Sequence, residues 1–442
     1  MRTTGSVVTA ISAVSMCIIS TTAAGQTDSI ARRQQRTLDS LATVIRSMQG
    51  QLDTMARSST TTAPASAPQT RTSGAYMNVS FVGLTDVGWS TEPNVAGLQR
   101  GDHDPHVRGF SIPNGELALD GTVDPYFKAF ANIVYKLDPK GETGVELEEM
   151  FFLTTSLPHN LQVKGGQFFS EFGRQNPQHP HSWAFADEPL VLNRMFGGEG
   201  LRSQGVRVSW LVPTPWYTEV NLGIMNSAGG TTSSFRSEES PEIHGGAIIA
   251  REVRSAKDLL FVPRIATSFD VSSTQTVVLG ASGAFGPNNS GLNAQTAVLG
   301  ADIYWKWKSP TAAQGFPFVS FQSEVMARSY DAAQRVSATD ASMTLPAATL
   351  KDHGLYAQML WGIKPMIVAG FRGEFASADK NAFTTEARAD RYRYSPNLTW
   401  YPTEFSKFRL QYNYDHRAGI GVDHSIWLQF EFLLGSHAAH KF

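Results

Sequence analysis

From Ala75 onward, apolar and polar residues alternate with a period of two. In "SKFRLQYNYDH", Phe408, Leu410, Tyr412 and Tyr414 share one face, and Lys407, Arg409, Gln411, Asn413 and Asp415 share the other. "DRYRYSPNLTWY" repeats the pattern, with Tyr392, Tyr394, Leu398 and Trp400 against Arg391, Arg393, Asn397 and Thr399. "HGLYAQMLWGI", "QTAVLGADIYWKW" and "SIWLQFEFLL" follow it less strictly. Alternation of this kind predicts strands with one apolar and one polar face. About sixteen such segments occur, each near the ~9–11 residues that a tilted membrane strand needs.

The connections separate a membrane barrel from a soluble sandwich. Tight gaps ("GTVDP", "SLPHN", "PTP", "SST", "SPTAAQG", "KP", "PTEF") alternate with long polar ones at 90–106, 171–202, 227–258, 329–351 and 377–390. Short turns at one end and long loops at the other are what an outer-membrane barrel requires. Trp210, Trp216, Trp305, Trp307, Trp361, Trp400 and Tyr401 all lie beside short turns and are expected to form one interfacial girdle. The expected fold is therefore all-β: a transmembrane antiparallel barrel of about sixteen strands over 75–442, in the bacterial outer membrane. Strands in that number leave an aqueous channel, whereas an eight-stranded barrel fills with its own side chains.

The N-terminal region has other periods. "MRTTGSVVTAISAVSMCIISTTAAGQ" has the basic start, apolar core and small-residue end of a secretory signal peptide, assigned to 1–25. Cys17, the single cysteine, falls inside it, so the mature chain has no disulfide and no cysteine metal ligand. Leu38, Leu41, Ile45, Met48, Leu52 and Met55 are spaced three and four apart in turn, the seam of a short periplasmic coiled-coil helix over 28–57. That seam predicts self-association; the alternative is an amphipathic helix resting on its own domain. The Ser/Thr/Ala/Pro-rich stretch 58–74 reads as a flexible linker. Phe442 shares its parity with Leu434, Phe432, Phe430, Leu428 and Ile426, an aromatic terminus suited to the barrel-assembly machinery.

A net charge of −2 argues against a nucleic-acid partner. The pore-facing set is of both signs. Arg391, Arg393, Lys407 and Arg409 sit on adjacent predicted strands as one basic wall, while Glu116, Glu146, Glu148, Glu219, Asp302, Glu324, Glu374 and Glu431 are acids of the same face. Charged walls tune selectivity, so the basic wall is a candidate for anion attraction; ordinary hydration and interstrand ion pairing are the alternative.

"LQVKGGQFFSEFG", a strand running into a Phe-rich turn, and the later "NRMFGGEGLRSQGVRVSW" resemble the phosphate-selective porin O and P family. So does the layout of signal, short coiled coil, linker, barrel and terminal Phe. The resemblance implies a homotrimeric diffusion channel and an inward-folded third extracellular loop, here 171–202. The departures are a His-Pro-His insert and a less uniformly basic lumen, so phosphate selectivity in particular does not carry over. In that loop prolines stiffen the chain, Trp183, Phe185 and Leu190 are candidate anchors, and Arg174, His179, His181, Asp187, Glu188 and Arg194 are expected to line a mixed-charge constriction.

His179 and His181 flank Pro180, and His437 and His440 flank two alanines, but neither pair has a visible full ligand set, so no metal and no cofactor is assigned. No Gly-x-Ser-x-Gly, His-Glu-x-x-His or phosphate-binding glycine loop is present, and no enzyme activity is expected. An adhesin or envelope tether would suit the coiled coil but explains the charged lumen poorly. The expected function is a porin: a water-filled channel in outer-membrane lipid for passive diffusion of small hydrophilic solutes, anion-preferring and phosphate-like. The alternative is a channel specialised for a metal ion or complex such as zinc, through the loop histidines.

Overall fold

The computed structural model describes residues 76–98, 101–138, 141–237, 241–250, 252–379 and 388–435. The signal peptide 1–25, the seam residues Leu38, Leu41, Ile45, Met48 and Leu52 of the helix 28–57, the linker 58–74 and Phe442 lie outside them.

Period-two patterning becomes a closed antiparallel barrel of sixteen strands. In chain order the strands are β1 (Tyr76–Ser90), β2 (Gly109–Thr122), β3 (Phe127–Leu137), β4 (Thr143–Thr154), β5 (Leu161–Phe169), β6 (Arg202–Leu211), β7 (Tyr217–Asn226), β8 (Leu259–Ser272) and β9 (Gln275–Pro287). They continue as β10 (Gln295–Ala313), β11 (Phe316–Ala332), β12 (Arg335–Val336), β13 (Thr344–Leu345), β14 (Ala348–Lys364), β15 (Ile367–Ala378), β16 (Arg391–Thr403), β17 (Ser406–Arg417) and β18 (Gly421–Gly435). Short β12 and β13 pair only with each other, in the loop between β11 and β14; every other strand pairs with its neighbours in sequence. β1 meets β18 from Ser80 opposite Gly435 to Ser90 opposite Ser425, which closes the ring and removes both sheet edges.

Closure fixes which face is which. On β17, Lys407, Arg409, Gln411, Asn413 and Asp415 are buried inside, while Leu410 and Tyr412 are exposed outside. On β18, Gln429 and Glu431 are inside and Ile426, Leu428 and Leu434 outside. So continuous an apolar exterior is unsuited to water and belongs in a bilayer, where a closed ladder leaves no strand hydrogen bond unmet. The chain is therefore an outer-membrane barrel. Trp210, Trp216, Trp361 and Trp400 stand exposed near the end with the short turns, as a girdle does. Tyr401 departs from the expected girdle. It shares the parity of Arg393 and Thr399, so it turns inward and packs with Phe316, Phe318 and Val368.

The strand ends set the loop lengths. At the short-turn end the connections include 273–274, 314–315, 365–366 and 404–405; at the other end 91–108, 170–201, 227–258 and 333–347 are long. The largest buried apolar cluster lies within the barrel, between the wall and a helix carried by the loop 170–201.

Candidate constriction site

The loop after β5 enters the lumen at once. Gly173 sits at a φ of 61°, a left-handed conformation that favours glycine, and its N–H donates to Ser282 Oγ at 3.0 Å. A side chain here would collide with the Glu324 carboxylate, whose Oε1 accepts from the Gln175 N–H at 2.7 Å. The chain is thus drawn from β5 across to β9 and β11. Pro180 and Pro189 shape the return; Pro189 precedes the helix α1 (Leu190–Phe196), which Gly197 ends at a φ of 80°. Val191, Leu192, Met195 and Phe196 recur at helical spacing and are completely buried against Phe168, Phe172, Met326 and Tyr356. Trp183, Phe185 and Leu190 are buried as well, but the helix is the main anchor. Its one-face pattern is legible in "LVLNRMF" once the segment is read with period 3.6 instead of two.

The six expected constriction residues do not form one ring; the loop distributes them over three sectors of wall. Arg174 lies toward β10 and β11, its Nε donating to Gln322 Oε1 at 3.1 Å and its guanidinium 4.0 Å from the Tyr304 ring centre. His179 and His181 stack at 5.7 Å and meet acids of β2 and β4. His179 places Nδ1 2.9 Å from Glu148 and Nε2 2.8 Å from Glu149, and His181 Nδ1 is 3.0 Å from Glu116. Asp187 reaches the opposite wall: Arg393 on β16 is 3.0 Å away, and Arg372 on β15 binds its other oxygen. The Glu188 N–H donates to Asp104 Oδ1 at 2.7 Å, in the loop 91–108, and its own carboxylate accepts from Asn193 at 2.8 Å. Arg194 donates to the carbonyl oxygens of Arg388 and Ala389 at 3.1 and 2.8 Å.

The four basic-wall residues do share one wall, on β16 and β17, but they are paired and sealed beneath the loop instead of facing open water. Arg391 Nε donates to Asp415 at 2.9 Å, and Arg393 Nε to Glu374 at 2.6 Å. Lys407 lies 2.7 Å from Glu431 and donates to the His181 carbonyl at 2.7 Å. Arg409 donates to the carbonyls of Trp183 and Phe185 at 2.6 and 3.0 Å and to Gln429 at 2.6 Å. Carbonyls of a passing loop cannot be inferred from strand alternation, which explains why the sequence shows the wall but not what covers it.

Charge on the loop therefore complements charge on the wall, histidines against acids and an acid against arginines. Burial opposes the charge on His179, but Glu148 and Glu149 outweigh it and hold the imidazolium well above its ordinary range. Both ring nitrogens of His179 are engaged by carboxylates, and Nδ1 of His181 by Glu116. For Asp187 burial again opposes the charge, while Arg393 and Arg372 hold the carboxyl below its ordinary value. Burial, with Asp104 beside it, pushes Glu188 well above its own. The residues that strand parity missed are those of the loop 91–108. Asp102 and His103 join Glu199 and the wall residues Lys136, Glu146 and Glu148 in one polar cluster.

A closed sixteen-stranded barrel whose third long-end loop folds into the lumen defines the class: outer-membrane barrels of porin architecture. The outer membrane channel DcaP of Acinetobacter baumannii superposes with a TM-score of 0.53 over 84% of this chain and 100% of its own, at 11% identity. An anion-selective porin from Comamonas acidovorans gives 0.50 over 81% of this chain and 100% of its own, at 8% identity. At these identities the likeness is one of fold. No family model matches the chain. An uncharacterized protein of Aquifex aeolicus (strain VF5) is 31% identical over 358 residues, 76% of this chain and 70% of that protein, and the chain belongs to its family.

Proposed function

We propose that this protein is a passive outer-membrane channel for small hydrophilic solutes, narrowed by the loop 171–202, and that it prefers anions. The observation carrying the proposal is the loop itself, which crosses the lumen and is bonded to opposite walls through His179 and Asp187. Level with the loop the inward side chains are sealed, whereas toward the short turns Lys128 is exposed and Asn78, Asp120 and Lys306 are half-buried. A polar lumen narrowed by one inward loop is the arrangement of a sieving pore. Anion preference is taken from the family resemblance, without its phosphate selectivity; Arg372, Arg391, Arg393 and Arg409 on β15–β17 are its candidate carriers, although each is ion-paired or bonded to the loop. Assembly as a homotrimer rests on that resemblance and on the seam at 38–55. A channel accounts for the charged lumen better than an enzyme does.

Recording from the purified protein in a planar bilayer under a salt gradient tests the reading. Discrete conductance steps with a zero-current potential on the anion side are expected, and deletion of 177–189 should raise the step size severalfold. Absence of steps overturns the channel, and steps unaltered by the deletion overturn the filter.

A further inference from the structure

The polar cluster between the loop 91–108 and the constriction loop has features that solute passage does not use. His103 is nearly fully buried, and its Nδ1 faces the Pro113 carbonyl at 3.3 Å. With the proton on that nitrogen, the lone pair of Nε2 points into the cluster. Nε2 has no hydrogen-bond partner, and neither has Glu148 Oε1, which lies 3.6 Å from Nε2 and 3.6 Å from Arg202 Nη1, too far for a hydrogen bond to either. One oxygen each from Asp102 and Glu199 and a ring nitrogen of His103 fall within 4.8 Å of one another. Glu148 is held from behind, its other oxygen 2.9 Å from His179.

Charge points the same way. Around this position Asp102, Glu116, Glu146, Glu148, Glu149 and Glu199 face two permanent cations, Lys136 and Arg202, and three imidazoles, His103, His179 and His181. One acid is left unmatched even with every imidazole charged. Leaving a carboxylate and an imidazole buried with unmet lone pairs is costly, and ordered water or a cation relieves that cost.

We infer that Asp102, His103, Glu148 and Glu199 form a binding site for one divalent transition-metal ion of the zinc class. The donor set is one imidazole nitrogen and three carboxylate oxygens, which suits a borderline cation better than Ca²⁺ or Mg²⁺. Ligand atoms around tetrahedral Zn²⁺ stand roughly 3.4 Å apart, so the 3.6 Å pair is already in place, and Asp102 and Glu199 exchange the Lys136 ammonium they now share for the ion and close inward. Both are partly open to solvent and can move, and they mark the side from which the ion arrives. The Pro113 carbonyl behind His103 is the second partner that orients ligating histidines. The Asp102 N–H already donates to the Gly198 carbonyl at 2.9 Å, so the ion would latch the two loops to each other and to β4.

The test is equilibrium zinc uptake by the full-length protein in detergent, stripped with a chelator and titrated with Zn²⁺. One saturable Zn²⁺ per chain is expected. His103→Asn keeps a donor toward Pro113 but removes Nε2, and the pair Asp102→Asn with Glu199→Gln removes two charges without changing volume. Each should weaken binding at least ~10-fold, with heat-modifiable gel migration showing that the barrel is intact. The variant His181→Gln, whose ring meets Glu116 and none of the four ligands, should keep it. No saturable uptake by the wild type, or uptake unaltered in the first two variants, overturns the site. Uptake is read without conduction, so the outcome is independent of the channel reading.

Discussion

Asp187, carried into the lumen by the constriction loop, lies 3.0 Å from Arg393 on the barrel wall, and both side chains are wholly sealed from solvent. Arg393 also binds Glu374, and Asp187 also accepts from Gln411 and Asn413 at 2.9 and 3.0 Å. A loop carboxylate thus completes a network whose other side chains all belong to the wall. Two charges are buried at no large penalty because both Asp187 oxygens accept from side-chain amides and Arg393 also donates to Glu374 and the Glu188 carbonyl.

Asp187→Asn should break that balance. Removing one partner of a buried pair costs roughly 3–5 kcal/mol, since Arg372 and Arg393 are then left to share Glu374 as their one remaining counter-charge. The expected result is a lower unfolding midpoint in detergent, larger and noisier conductance steps and a zero-current potential moved further to the anion side. An unaltered midpoint would mean that the loop is held by its apolar helix alone.

The paired state of the basic wall predicts a specific pattern of selectivity. Arg391→Gln leaves Asp415 unmatched, so the zero-current potential should move toward cation preference. Arg391→Gln combined with Asp415→Asn removes the pair as a neutral unit, and the potential should return to that of the wild type. Salt should shrink the single-variant effect, because wall charges reach only ~3 Å at 1 M. Equal shifts in the single and double variants would show that Arg391 acts as an unpaired charge.

Acidity should hold the loops together. Burial, with Asp187 nearby, pushes the Asp104 carboxyl up to about 7 from an ordinary value of 3.8. A carboxyl raised in the folded state keeps its proton where the unfolded chain has lost it, so its contribution is complete below about pH 4 and falls away up to pH 7. Burial, with Asp104 beside it, likewise raises Glu188, so its contribution also falls away as the pH rises. Both signs agree. Hydrogen exchange of the peptide 184–200, corrected for its intrinsic rate, should show less protection at pH 9 than at pH 5. Equal or greater protection at pH 9 would show that these groups do not govern the loop.

Assembly can be separated from barrel folding. Leu41→Asp with Ile45→Asp places charge at the centre of the predicted seam, which no helix pairing tolerates. The doubly substituted protein should run as monomers on a native gel while its barrel still shows heat-modifiable migration. Fully retained trimers would assign self-association to the barrel wall.

Alternation by itself determined the barrel: with a period of two, one slip would turn Arg391, Arg393, Lys407 and Arg409 into lipid, so register and inside face are fixed together. The same local rule named the Trp girdle, yet misplaced Tyr401, which alternates into the lumen. The family resemblance implied that the loop 171–202 folds inward, and its prolines and large apolar groups suit that position. Only the tertiary structure decided what the loop meets. His179 finds Glu148 and Glu149, thirty-one and thirty residues away, and Asp187 finds Arg393 more than two hundred residues on. Electrostatic partners are chosen by position in the closed ring, and the ring exists only when β1 has paired with β18. Strand parity says which side chains point inward but carries no information about which wall a crossing loop will touch. That is why the basic wall was legible as a set of residues and its burial beneath carbonyls was not, and why Asp102 and His103, in a loop without period, came into view only beside Glu199 and Glu148.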